Sequence, residues 1–308
     1  VGDKSPQWEM EIVNPLQKQR KESEELLFSK GVLYLTGLCS AEIFQALDTI
    51  EFRQDNVFLA AYPKCSDLWE NWIHLTSFHL KYYKLSASLS YGYYGSLLSL
   101  ALLQKIKNAP SPRLFSTHLH YDDIPKAVFE NKVKVLVVFR NPKDVAVSYY
   151  HFYNKNPGLP NVSSWDEFFQ KFMSGEVMWS SYFDHALSWN KHMDEQNIMI
   201  ITYEEMKENL PGGVKKIAEF LGFSLPEEKI QSIIENATFK SMSNKSQETH
   251  GTLAPMLFRK GTFIQSDNSH FKNLFTEAQS QEMDVKFTEC LAGTKLGAKL
   301  KYDKYCKY

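Results

Sequence analysis

The clearest pattern in the chain is a set of short apolar runs that do not alternate with polar residues. Residues 57–61 (VFLAA), 132–139 (KVKVLVVF) and 197–203 (NIMIITY) read this way, and 113–118 (RLFSTH) is a shorter run with a polar tip. Continuous runs of strand length, rich in β-branched residues, predict strands buried on both faces. Between them lie helical patterns. Asn141 can cap a helix with Pro142 at its first position, carrying Val145, Ser148, Tyr149 and Phe152. Ser164-Trp165-Asp166-Glu167 reads as a capping box. Helices are expected over 40–47, 175–191, from Glu204, and over 213–223, 226–236 and 276–291; 32–38 reads as a short strand or loop. Residues 1–26 are polar, a helix or mobile arm; 70–104 show little periodicity; 240–270 are polar and loop-like.

Strands alternating with helices predict an α/β fold with a mainly parallel sheet, whose ligands sit beyond the carboxyl ends of the strands. Four strand ends carry polar groups: Lys64, His118, Arg140 and Tyr203. A lysine in the turn after a buried strand suits an anion, although such a lysine is also a common surface charge. The GxxxxGK[ST] glycines of a Walker loop are absent, which counts against a nucleotide kinase.

Composition narrows the partners. With 308 residues and a formal net charge of -1, the chain has core enough for a large domain and no global field for nucleic acid or an anionic membrane. Cys39, Cys65, Cys290 and Cys306 have no metal-type spacing, and suit a reducing, cytoplasmic setting. The first 27 residues lack the apolar core of a signal peptide, and the serines, tyrosines and glycines of 85–103 argue against a membrane span.

Six blocks then agree in order with one family. YPKCSDLW resembles the Tyr-Pro-Lys-Ser-Gly-Thr-x-Trp loop of the cytosolic sulfotransferases; THLHYDDIP, FRNPKDVAVSYYHFY, TYEEMKENL, TFKSM and LFRKGT resemble further blocks. The segment CLAGTKLGAKLKYDKYC and the THLHYD variant are most like the 6B subfamily. The resemblance covers nearly the whole chain. It implies a single domain over 1–308, with a P-loop-like three-layer fold, a central mainly parallel sheet and flanking helices. It also implies transfer of a sulfuryl group from 3′-phosphoadenosine 5′-phosphosulfate (PAPS) to a small-molecule phenol, alcohol or amine, without a metal.

The resemblance assigns roles residue by residue. Lys64, Cys65, Ser66, Asp67, Leu68 and Trp69 would wrap the 5′-phosphosulfate, with Lys64 offsetting charge on the leaving oxygen. His118 would be the general base, His120 ranking second. Arg140 and Ser148 would hold the 3′-phosphate, closed over by Leu257, Phe258, Arg259, Lys260 and Gly261. Tyr203 and the segment Ala237, Thr238, Phe239, Lys240, Ser241 and Met242 would meet the adenine, Trp69 and Phe239 by stacking. Outside the family, His118 could equally be a structural hydrogen bonder, Arg140 half of a salt bridge, and Trp69 and Phe239 core.

The chain departs from the family pattern in several places. Ser66 stands for the loop glycine and Asp67 for a Thr or Ser. Residues 70–104, on the acceptor side, diverge, and 264–271 lengthen the closing loop. Ser116 stands where many members have Lys, and Ala237 where many have Thr. In the dimer-motif segment KNLFTEAQSQ, Glu277 and Gln281 replace the usual Val and Glu, so a homodimer would rest on a degraded motif. These changes favour, as an alternative, a weakened member that only binds nucleotide or a partner. A carboxylate about 4 Å from a phosphate repels it by about 1 kcal/mol in water, and by ~4 kcal/mol at an effective dielectric of ~20. Asp67→Thr is therefore expected to bind adenosine 3′,5′-bisphosphate at least about fivefold more tightly by calorimetry; an unchanged affinity would rule out the repulsion.

Overall fold

The computed structural model describes residues 11–12, 26–29, 31–35, 45–65, 83–88, 107–156, 159–236 and 270–307. Two sheets form. The smaller is antiparallel, in the order β1 (Glu11–Ile12), β2 (Leu26–Ser29), β3 (Val32–Leu35). Gly31, at φ 84, sits in the β2–β3 turn, where positive φ costs glycine nothing. Glu11 and Ile12 lie in a stretch read as a helix or arm; pairing with Phe28 and Leu27 makes them strand instead. A two-residue strand has no periodicity of its own.

The larger sheet has five strands: β4 (Val57–Ala61), β5 (Tyr83–Ser88), β6 (Arg113–Thr117), β7 (Lys134–Phe139) and β8 (Ile198–Thr202). Their spatial order is β5-β6-β4-β7-β8, and every pairing is parallel. Every residue of β4 is buried, as are Val135–Phe139 of β7, so both faces of the central strands are covered. That is why these runs lack alternation. The chain winds from β4 first to one side and then to the other, which leaves a crevice at the β4 carboxyl end. β5 falls within 70–104, where no strand was expected.

Ten α-helices have both ends among the described residues: α1 (Lys126–Glu130), α2 (Pro142–Lys155), α3 (Trp165–Ser174), α4 (Tyr182–Asn190), α5 (Tyr203–Glu208), α6 (Leu210–Phe220), α7 (Glu227–Asn236), α8 (Glu277–Cys290), α9 (Lys295–Leu300) and α10 (Tyr302–Tyr305). The cap of α2 is as expected: Asn141 accepts from the Asp144 N–H at 2.8 Å, with Pro142 in the first turn. Two expectations fail locally. Ser164 caps α3, but Glu167 accepts from Ser163 N–H at 2.8 Å rather than from Ser164, so the box is half made. The helix read over 175–191 begins only at Tyr182. Gly175, at φ 78, ends α3, and Trp179 (φ 69) and Ser180 (φ 53) are left-handed, which no helix accommodates.

Lys143 ties the C-terminal tail to α2. Its side chain is fully buried, with Nζ at 2.6 Å from Ser280 Oγ, 2.8 Å from the Cys306 carbonyl and 2.6 Å from Asp284 Oδ1. A buried ammonium is tolerated only when its donors are met in this way. Replacing it leaves the Cys306 carbonyl and Asp284 without that partner, so Lys143→Met is expected to cost about 3 kcal/mol. Urea unfolding tests this: the midpoint should fall with the slope unchanged.

Candidate active site

The site is built on the order β6-β4-β7-β8. His118 follows β6, Lys64 follows β4, Arg140 follows β7 and Tyr203 follows β8. Neighbouring strands lie about 4.8 Å apart, so the four groups line one sheet edge over roughly 15 Å.

At the end of β4, the Cys65 N–H donates to the Tyr62 carbonyl at 3.1 Å. With Pro63 at the first central position and Lys64 at φ 69, this is a type II turn with lysine where glycine is usual. The left-handed backbone costs about 1–2 kcal/mol. Lys64 is 3% exposed, with Nζ 5.0 Å from the Phe152 ring centre, a cation–π contact. Cys65 is a buried free thiol.

His118 is 3% exposed, and its Nδ1 lies 2.6 Å from the Ala61 carbonyl oxygen. A carbonyl only accepts, so Nδ1 carries the proton and Nε2 is the basic nitrogen of the neutral ring. The Trp179 ring meets His118 edge-on at 5.5 Å. His120 sits differently. It packs on His185 at 5.1 Å, its Nε2 lies 3.4 Å from the Trp179 carbonyl, and burial lowers its pKa despite that contact. It belongs to the packing beneath the site.

The Trp179 turn is held from three sides. Tyr62 Oη–H donates to the Ser180 carbonyl and Tyr149 Oη–H to the Met178 carbonyl, both at 2.7 Å; the Met178 N–H donates to Tyr153 Oη at 2.6 Å. β3 adds the Leu33 carbonyl, which accepts from Trp179 N–H at 2.8 Å. Tyr149 is a buried brace.

At the end of β7, the Arg140 guanidinium lies 4.5 Å from the Tyr203 ring centre and its Nη2 3.6 Å from Asp144 Oδ2. Burial weakens its charge, but Asp144, Tyr203 and Glu204 outweigh that and raise its pKa. Arg140 Nε has no hydrogen-bond partner among the described residues. The Arg140 carbonyl accepts from Tyr182 Oη–H at 2.8 Å. Glu204 lies behind it, 5% exposed, its Oε1 accepting from Asn141 N–H at 2.9 Å and from Asn141 Nδ2 at 3.0 Å. Ser148 is half-buried on α2, on the face it shares with Asn141 seven residues earlier.

Lys64, Cys65, His118, Arg140, Ser148 and Tyr203 are thus described, with His118, Lys64, Arg140 and Tyr203 on one edge. Ser66, Asp67, Leu68, Trp69, Ala237, Thr238, Phe239, Lys240, Ser241, Met242, Leu257, Phe258, Arg259, Lys260 and Gly261 lie outside the described residues. Glu277 and Gln281, of the dimer-motif segment, are exposed on α8. Two groups escaped the sequence reading. Glu204 reads there as one charge of a charged helix, and Trp179 as a helix residue. Among the described residues no three His, Cys, Asp or Glu side chains gather as a metal site, and no helix is long and apolar enough to cross a membrane.

A parallel sheet with a lysine, a histidine and an arginine at adjacent strand ends fits a class of group-transfer proteins. The sequence model of the sulfotransferase domain matches residues 54–295, and the chain belongs to the sulfotransferase family. It is similar to sulfotransferase 6B1 of Homo sapiens, 50% identical over 96% of both chains, and to that of Mus musculus, 48% identical over 96% of both. Its fold is similar to a mouse sulfotransferase crystallised with PAP, with a TM-score of 0.77 and 30% identity over 90% of this chain and 99% of that one. Retinol dehydratase, crystallised with androsterone and PAP, shares the fold at a TM-score of 0.71 and 20% identity, over 94% of this chain and 97% of that one.

The His118 geometry has a spectroscopic consequence. In nitrogen-15 NMR of the neutral ring, the proton should sit on Nδ1 and Nε2 should be unprotonated; the opposite tautomer would contradict the Ala61 hydrogen bond.

Proposed function

We propose that this chain transfers a sulfuryl group from PAPS to a hydroxyl or amine of a small molecule, with His118 as general base. The observation that carries the reading is the hydrogen bond from His118 Nδ1 to the Ala61 carbonyl. It turns the basic Nε2 away from the strand, and it ties the base to the strand that delivers Lys64 three residues later. A base and a cation held this way serve the two ends of one in-line displacement.

The acceptor oxygen attacks sulfur as His118 Nε2 takes its proton. The bond from sulfur to the bridging phosphate oxygen breaks, and that oxygen keeps the electron pair. Lys64 stabilises the charge developing there. The products are the sulfate ester and adenosine 3′,5′-bisphosphate, and the imidazolium then returns its proton to solvent. Arg140 takes the 3′-phosphate together with Ser148, its Nε having no hydrogen-bond partner among the described residues. Tyr203 meets the base. Ser66, Asp67, Leu68 and Trp69 close on the 5′-phosphosulfate, Ala237 to Met242 on the adenine, and Leu257 to Gly261 on the 3′-phosphate. The fit to a mouse relative crystallised with PAP supports the donor. Trp179, edge-on to His118, borders the place where the acceptor must enter. Ser66 and Asp67 favour a second reading, a family member that binds nucleotide without turnover.

Two variants test the assignment. Arg140→Ala should abolish calorimetric binding of adenosine 3′,5′-bisphosphate. His118→Ala should keep that binding while turnover of a phenol or amine falls about 10²–10⁴-fold. Binding without turnover in the parent chain would select the second reading, and no binding would overturn both.

A further inference from the structure

We propose that Glu204 is a positioning residue of the 3′-phosphate subsite that works in its protonated form, taking up a proton from solvent when the phosphate seats on Arg140. The inference rests on the donor reading above and adds a group to it. Glu204 is 5% exposed, bonds to the residue after Arg140 and interacts electrostatically with the arginine itself. Its Oε1 accepts both the backbone N–H and the side-chain N–H of Asn141, the residue that joins Arg140 to α2. Its Oε2 is buried and has no hydrogen-bond partner among the described residues. One oxygen therefore fixes the start of α2, and the other is where a proton can sit without disturbing that bond.

The local charge explains why a proton is needed. Among the described residues, the ionisable groups around Glu204 are Arg140 and Asp144 at the start of α2, Tyr182 on α4, and Tyr305 and Cys306 of the C-terminal tail, with the buried Lys143 against the Cys306 carbonyl and paired with Asp284. Tyr203, Lys207 and Glu208, from its own helix, line with it a cavity of ≈ 190 Å³ that Asn141, Asp144 and Tyr305 also border. Burial raises the pKa of Tyr182, Tyr305 and Cys306, so they stay neutral. Glu208 is held ionised by Lys304 and Tyr305. In the buried part of the cluster one guanidinium thus faces two carboxylates, Asp144 and Glu204. A phosphate dianion arriving at Arg140 adds negative charge beside these two carboxylates, and a proton on Glu204 removes part of it. Burial has already lifted this carboxyl to about 6, against the pull of Asn141 and Arg140. The sign follows. Phosphate raises the Glu204 pKa further, so the bound state holds more protons, and affinity falls as pH rises above about 6.

The experiment is calorimetric titration of the whole chain with adenosine 3′,5′-bisphosphate, in two buffers of different protonation enthalpy. Glu204→Gln keeps the acceptor for Asn141 and imitates the protonated acid. At about pH 7.5 the parent should take up between about one half and one proton more than Glu204→Gln, and the variant should bind tighter, by roughly thirtyfold at most. At about pH 5.5 the affinities should converge. Equal proton uptake and equal affinity at both pH values would overturn the proposal. The parent alone gives a second test, since its affinity should fall toward about tenfold per pH unit between about 6.5 and 8, after free phosphate has lost its own proton; a flat profile there would also overturn it. Loss of all bisphosphate binding in the parent would instead remove the donor reading, and this inference with it.

Discussion

The hydrogen bond between His118 Nδ1 and the Ala61 carbonyl is the contact on which the site depends. The parallel ladder of β4 and β6 ends at the pair Ala60 and Thr117. The next rung would fall at Ala61 and His118, and there the imidazole takes the place of a backbone donor. One contact satisfies a buried carbonyl, fixes the tautomer, and sets the imidazole beside the strand that leads to Lys64. A one-residue slip in that ladder would separate all three, because side chains change face with every residue.

The strain around this contact is local and braced. Lys64, Trp179 and Ser180 all adopt left-handed backbone without being glycine. Such conformations persist only where the surroundings over-determine them. The hydroxyls of Tyr62, Tyr149 and Tyr153 hold the Trp179 turn, and Tyr62 itself begins the turn that carries Lys64. In this frame aromatic rings fill volume and their hydroxyls meet backbone groups. Burial raises the Tyr62 pKa well above its ordinary value, so its hydroxyl remains a donor.

Charge is buried twice around the start of α2, for different ends. Lys143 is met on every side and serves the tail. Arg140 is met only in part, by a loose ion pair, a ring and a backbone held by Tyr182. An arginine kept charged and incompletely engaged suits an anion that comes and goes. Glu204 shows why such a group is hard to read from sequence. It stands beside Glu205 in one first turn, and successive helix positions point about 100° apart. Glu205 makes the capping box with Thr202, while Glu204 turns inward to Asn141. Nothing in Glu-Glu says which is which.

The α/β class, the buried runs and the polar tips of four strands are legible in the order of residues alone. A strand covered on both faces must be apolar throughout, and Asn141 with Pro142 declares a helix start. The family blocks added the roles expected of Lys64, His118 and Arg140. It takes the packing of distant segments to put those tips on adjacent strands, to bring His118 rather than His120 to Ala61, to make 175–181 a turn and not a helix, and to turn Glu204 inside. Local patterns record whether a residue is buried. Which residue lies across from it depends on the winding order β5-β6-β4-β7-β8, and that order follows from contacts between segments far apart in the chain.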